Sequence, residues 1–145
     1  MFEHLLLPTD GSPLSENAVL KGIQLAHVLG ARVTGVNVSP RFHVLTYRTD
    51  MLEHSRAEYE SDSLVHADLY LAFITKAAAE SSVPCETLRE CRDDVFQSII
   101  DVARARACDL IVMASHGRRG IGGLLLGSET HRVLTHSGTP VLVCR

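Results

Sequence analysis

One stretch of the chain gathers a histidine, paired arginines and a run of glycines: Ala114-Ser115-His116-Gly117-Arg118-Arg119-Gly120-Ile121-Gly122-Gly123-Leu124-Leu125-Leu126-Gly127-Ser128. The apolar run Asp109-Leu110-Ile111-Val112-Met113 before it reads as a strand, and Glu129 to Ser137 after it reads as a helix that Gly138 stops. The glycines therefore fall in a strand-to-helix loop that ends at a helix start. A helix N-terminus presents unpaired N–H groups and about half a positive charge, which makes it an anion seat with phosphate as the usual occupant. Glycines let the backbone approach a ligand without a Cβ clash. Ser128 is placed to cap the helix and still turn its hydroxyl toward an anion. Arg118 and Arg119 add charge in planar forks that match phosphate oxygens. The loop reads as a cradle for nucleotide phosphates.

The plainer account is a surface connector whose glycines only join two elements. The familiar phosphate signatures do not match. The chain's only lysines are Lys21 and Lys76, and Leu125 breaks the series Gly120-x-Gly122-x-x-Gly, so the standard NTPase and dinucleotide signatures are excluded. His116 could activate a water near phosphates, although a histidine in a turn is more often structural. Asp10 fits poorly as a phospho-acceptor, because Asp10-Gly11-Ser12 is not Asp-x-Asp and no lysine closes the last strand. Cys85, Cys91, Cys108 and Cys144 form no Cys-x-x-Cys pair, and the histidines lack metal-ligand spacing. Free thiols and no dedicated histidine metal site are expected.

A chain of 145 residues that is 46% hydrophobic suits one ordered domain with its own core. A net charge of −3 gives no reason to expect a nucleic-acid partner. No apolar run is long enough to span a bilayer, and Met1-Phe2-Glu3-His4 lacks the basic region of an export signal. Cytoplasmic residence without a membrane partner is the expectation.

The elements that must hold the glycine loop can be taken in chain order. His4-Leu5-Leu6-Leu7-Pro8 is a nearly all-apolar strand of the kind buried on both faces. It runs into Thr9-Asp10-Gly11-Ser12-Pro13, where Ser12 suits an N-cap and Pro13 the first helical position. Apolar residues from Leu14 to Leu29 recur at helical spacing until Gly30, and Ala31 to Val38 is a second strand. Ser39 to about Ser55 has no clean period and reads as a flap. A second helix spans about Arg56 to Ser82, a third, edge strand Cys85 to Arg89, and a third helix follows Asp93-Asp94. The chain closes with Pro140-Val141-Leu142-Val143-Cys144. Strands alternating with helices imply a parallel sheet covered on both faces, with right-handed crossovers. In such sheets ligands bind at the C-terminal strand ends where the winding reverses. If the first and fourth strands are neighbours, their following loops line one crevice, with Asp10 opposite the glycine loop. Asp10 then either closes an Asx turn or meets donors on a base or ribose. Facing phosphates directly, it would repel them unless a divalent cation lay between.

The sequence resembles the single-domain, nucleotide-binding branch of the universal stress protein family. The likeness rests on Leu7-Pro8-Thr9-Asp10-Gly11-Ser12, on Val36-Asn37-Val38, on the glycine loop and on Thr139-Pro140-Val141-Leu142-Val143. The family motif is Gly-x-x-Gly, nine residues, then Gly-Ser/Thr. Gly117, nine residues and Gly127-Ser128 match it, while Ala114 stands in place of its first glycine. The pattern and the resemblance together imply an open, Rossmann-like α/β fold, a five-stranded parallel sheet in the order 3-2-1-4-5, as one domain over residues 1–145. The resemblance further implies an adenine nucleotide, ATP or else AMP or ADP, with Mg or Mn, and a homodimer. Carried over by position, Asp10 and Val38 would contact the adenosine end. Pro8 and Thr9 would shape the wall beside it, with Met113 and Ala114 behind. Gly117, Arg118, Arg119, Gly127 and Ser128 would hold ribose and phosphates, helped by the N–H groups of Glu129 and Thr130. Glu90-Cys91-Arg92-Asp93-Asp94, where relatives often have Gly-x-Pro, is a second departure, expected to lie away from the site. The apolar last strand, residues 140–144, is expected at a sheet edge and suits pairing with its copy in a second subunit. The expected output is a stress or signalling response without efficient catalysis. The alternative is a slow Mg-dependent ATPase or nucleotide-dependent transferase, which steady turnover would reveal.

Overall fold

The computed structural model describes residues 1–42, 49–117 and 126–145, with the backbone alone over 49–55. In chain order the elements are β1 (His4–Pro8), α1 (Pro13–Leu29), β2 (Arg32–Ser39), α2 (Thr49–Glu80), β3 (Cys85–Cys91), α3 (Val95–Ala105), β4 (Leu110–Ala114), α4 (Ser128–His136) and β5 (Val141–Cys144). The strands form one parallel sheet in the order β3-β2-β1-β4-β5. This is the expected α/β architecture, and it follows from the strand sequences. Leu5, Leu6 and Leu7 in the central strand are completely buried, as a strand covered on both faces requires. Alternate side chains then split between two cores. Leu5 and Leu7 pack with Val19 and Ile23 of α1 and Ile74 of α2, while Leu6 packs with Ile99 and Val102 of α3 and Val133 of α4.

The caps that set the helices are local. Ser12 Oγ accepts from the Ser15 N–H at 3.2 Å with Pro13 behind it, and Gly30 closes α1 in the left-handed conformation. Two boundaries depart from the sequence pattern. β3 runs on to Cys91, paired with Ser39 of β2. α2 begins at Thr49 rather than near Arg56, within the stretch read as a flap. Between Arg56 and His66 most of its residues are exposed, so no apolar stripe marks that part as helix. Tyr59 instead ties the helix back by donating its hydroxyl to the Pro40 carbonyl at 3.1 Å.

The chain winds outward from β1 through β2 to β3, then returns to β4 and winds the other way to β5. β1 and β4 are therefore the neighbours at which the winding reverses, with Leu5 opposite Leu110 and Leu6 opposite Ile111. Their C-terminal ends place the Thr9-Asp10-Gly11 turn and the Ser115-His116-Gly117 turn side by side.

Candidate functional site

The turn after β1 is held by its own short polar side chains. The Thr9 N–H donates to the Val36 carbonyl at 2.9 Å, and the Asn37 amide donates to the Thr9 carbonyl at 2.9 Å. Thr9 Oγ1 accepts from the Gly11 N–H at 3.1 Å, and Asp10 Oδ1 accepts from the Ser12 N–H at 2.9 Å. The latter is an Asx turn, so the local role weighed for Asp10 is real. Gly11 has φ +75°, and a Cβ there would run into the Tyr70 ring of α2. Both its backbone angle and its neighbour demand glycine.

The turn after β4 is held by the chain that returns to it. Met113, Ala114 and Ser115 are buried. The Ser115 N–H donates to the Cys144 carbonyl at 2.7 Å, and the Ser115 carbonyl accepts from the Gly127 N–H at 2.7 Å. Thr130 Oγ1 donates to the Ala114 carbonyl at 2.9 Å. These last two bonds fasten the start of α4 to the end of β4. His116 Nδ1 lies 3.1 Å from Ser115 Oγ, while its Nε2 is enclosed and has no partner among the described residues.

Across the crevice the two turns nearly touch. A Cβ built on Gly117 would stand 2.5 Å from Asp10 Oδ2, so a side chain there would have to displace the carboxylate. At the head of α4, Gly127 is the N-cap, with φ −67° and ψ 156°. Its N–H is spent on Ser115. The N–H groups of Ser128, Glu129 and Thr130 find no acceptor among the described residues, as expected for a helix first turn. The Glu129 carboxylate is occupied elsewhere: Oε2 accepts from the Phe96 N–H at the start of α3, at 2.9 Å. Three adjacent amide donors thus sit at the C-terminal end of the sheet, next to the point where its winding reverses.

A sequence model described as the Universal stress protein family matches residues 1–145. The chain belongs to the universal stress protein family. Universal stress protein MJ0531 of Methanocaldococcus jannaschii is 30% identical over 149 residues, covering 100% of this chain and 83% of the relative. Universal stress protein UspA from Lactobacillus plantarum shares the fold with a TM-score of 0.86 at 23% identity, covering 99% of this chain and 98% of that one. Two further family structures share it with a TM-score of 0.68 each. One, in complex with cAMP, is 20% identical and covers 99% of this chain and 97% of its own. The other, from Archaeoglobus fulgidus in complex with dAMP, is 16% identical and covers 100% and 98%.

In this universal stress protein the expected site residues divide as follows. Pro8, Thr9, Asp10, Ala114, Gly117, Gly127, Ser128, Glu129 and Thr130 lie at the adjoining ends of β1, β4 and α4. Val38 and Met113 point to the α3–α4 side of the sheet and pack on that core. Arg118 and Arg119, with residues 120–125, lie outside the described residues. Ser128 does not cap α4. It is the first helical residue, exposed, with Gly127 in the cap position. Ala114 is absent from the residues with positive φ, lies in β4 and is buried on the α1–α2 side. Its methyl therefore causes no backbone strain in place of the motif's first glycine. The segment from Glu90 to Asp94 is nearer than its sequence position suggested. Glu90 pairs with Val38 in the sheet, and Asp93 Oδ1 accepts from the Arg41 N–H at 2.9 Å. Sequence reasoning missed Tyr70 and the Glu129 carboxylate, whose partners are remote in the chain. Asn37, polar between two valines of a buried strand, carried a readable signal.

Proposed function

We propose that this universal stress protein binds an adenine nucleotide whose phosphates rest on the N–H groups of Ser128, Glu129 and Thr130. The observation that supports this reading is that row of amide donors beside the reversal of the sheet, because phosphate is the anion such helix starts take. Asp10 and Val38 would meet the adenosine end, Pro8 and Thr9 would wall it, and Met113 and Ala114 would back it. Gly117, Arg118, Arg119 and Gly127 complete the proposed phosphate side. The family structures in complex with cAMP and dAMP support an adenine ligand for this fold.

ATP with Mg or Mn is the proposed form. Among the described residues no group of three His, Cys, Asp or Glu side chains could hold a metal ion. A divalent ion would be held chiefly by the nucleotide's own phosphates. The proposed role is a stress or signalling module acting through nucleotide occupancy, as a homodimer joined by residues 140–144.

Ser128→Pro tests the amide row. Proline suits the first helical position, and Gly127 already has the extended backbone that precedes proline. The variant should fold as before and bind ATP with magnesium about ten- to a hundredfold more weakly in calorimetry, since one hydrogen bond to a charged group is lost. Adenosine affinity should not change. A parent protein that gives no heat with ATP, ADP or AMP would end the nucleotide reading.

A further inference from the structure

The structure assigns Glu129 a task distinct from lending its N–H to the amide row: it is a positioning residue that sets where α4 presents that row. This rests on the nucleotide reading above. Glu129 lies in the first turn of α4, between Ser128 and Thr130. Its carboxylate nonetheless leaves the crevice and caps a different helix. Oε2 accepts from the Phe96 N–H at 2.9 Å, one residue into α3, whose own N-cap Asp94 makes no side-chain capping bond. A helix start left without its cap retains orphan N–H donors, so the bond is favourable for α3 as well as restraining for α4.

Further along α4, Arg132 and His136 pack on the Phe96 ring, and Arg132 Nη1 also lies 3.8 Å from Glu129 Oε1. The Arg132 guanidinium lies 5.0 Å from the centre of the Phe96 ring, and the His136 ring lies 5.2 Å from the same ring. Thr130 Oγ1 holds the Ala114 carbonyl, which fixes the first turn against β4. The first turn is therefore located by three bonds, two to the end of β4 from Gly127 and Thr130 and one to α3 from Glu129. Removing the Glu129 carboxylate also ends its ion pair with Arg132 but leaves the His136 ring contact and the Gly127 and Thr130 bonds to β4 in place, so α4 persists. Its first turn then keeps its two bonds to β4 but loses the one that ties it to α3, and the N–H groups of Ser128 and Glu129 are held less firmly in their aim.

The carboxylate also brings a negative charge to the seat of an anion. Its two effects on a phosphate ligand are opposed, and two substitutions separate them. Glu129→Gln keeps an oxygen that can accept from Phe96 and removes the charge. Glu129→Ala removes both.

The experiment measures ATP and adenosine affinities by calorimetry for the parent and both variants, with hydrogen exchange at the Phe96 amide. Glu129→Ala should bind ATP roughly five- to tenfold more weakly, the equivalent of about one hydrogen bond, and its Phe96 amide should lose protection. Glu129→Gln should keep that protection and bind ATP at least as tightly as the parent. Adenosine should bind all three alike, which a general loosening of the fold would not allow. An alanine variant that binds ATP as well as or better than the parent would overturn the positioning role and leave only charge repulsion. A glutamine variant that weakens as far as alanine overturns it too. A parent that binds no nucleotide at all defeats the underlying reading instead, and the Phe96 exchange result then stands as a structural fact alone.

Discussion

Asp10 shows how one side chain can serve a turn and a crevice at once. Its Oδ1 closes the Asx turn after β1, while Oδ2 fills the space that a Cβ on Gly117 would need on the other side. The glycine at 117 is thus explained by a neighbour, since its φ lies outside the left-handed region. Gly117→Ala should push the Asp10 carboxylate aside and strain its Asx turn, costing about 1 kcal/mol, the low end for overpacked sites. Asp10→Ala in the same chain should recover part of that loss, because the clash needs both partners. Chemical denaturation of the two single variants and the double variant checks this, and strict additivity would count against the contact. The Asx turn and the glycine were both legible in sequence. Their meeting was not.

Among the strands, β1 carries a second polar device at its opposite end. His4 is buried, and its Nε2 lies 2.7 Å from Thr34 Oγ1. That hydroxyl donates to Glu86 Oε1 at 2.9 Å, so it must accept from the imidazole, which leaves Nδ1 as the unprotonated nitrogen. Nδ1 is enclosed without a partner. Protonating it would put a positive charge into a buried setting. Burial, helped by the Arg32 charge, holds the His4 pKa below its ordinary 6.5. The unfolded chain therefore binds more protons than the folded one below about that pH, and stability falls as the pH drops through and below 6.5. Melting temperatures between pH 8 and 5 should show the decline, and His4→Asn should flatten it. An equal slope in the variant would locate the titrating group elsewhere. The strand itself was plain from its leucines, whereas the environment of His4 was hidden, because Thr34 and Glu86 belong to β2 and β3.

The proposed dimer rests on the edge of the sheet at β5. β5 pairs with β4 on one side, and Leu142 on this edge strand is 42% exposed. An exposed apolar edge invites pairing with another strand, and a two-fold partner would cover it. Sedimentation velocity should give a dimer at micromolar concentrations, and Leu142→Lys should shift it toward monomer without loss of fold. A parent protein that stays monomeric at high concentration would refute the dimer.

Read alone, the chain already specified its alternating elements, the parallel sheet they imply and a glycine loop leading into a helix start. Those features depend on periodicity, caps and turn residues within a few positions of one another, which a linear pattern records. Folding alone brought Asp10 against Gly117, laid Tyr70 over Gly11 and turned one oxygen of the Glu129 carboxylate to α3. Such pairings follow from how side-chain volumes and directions fit once distant strands and helices are packed, and no local spacing encodes that fit.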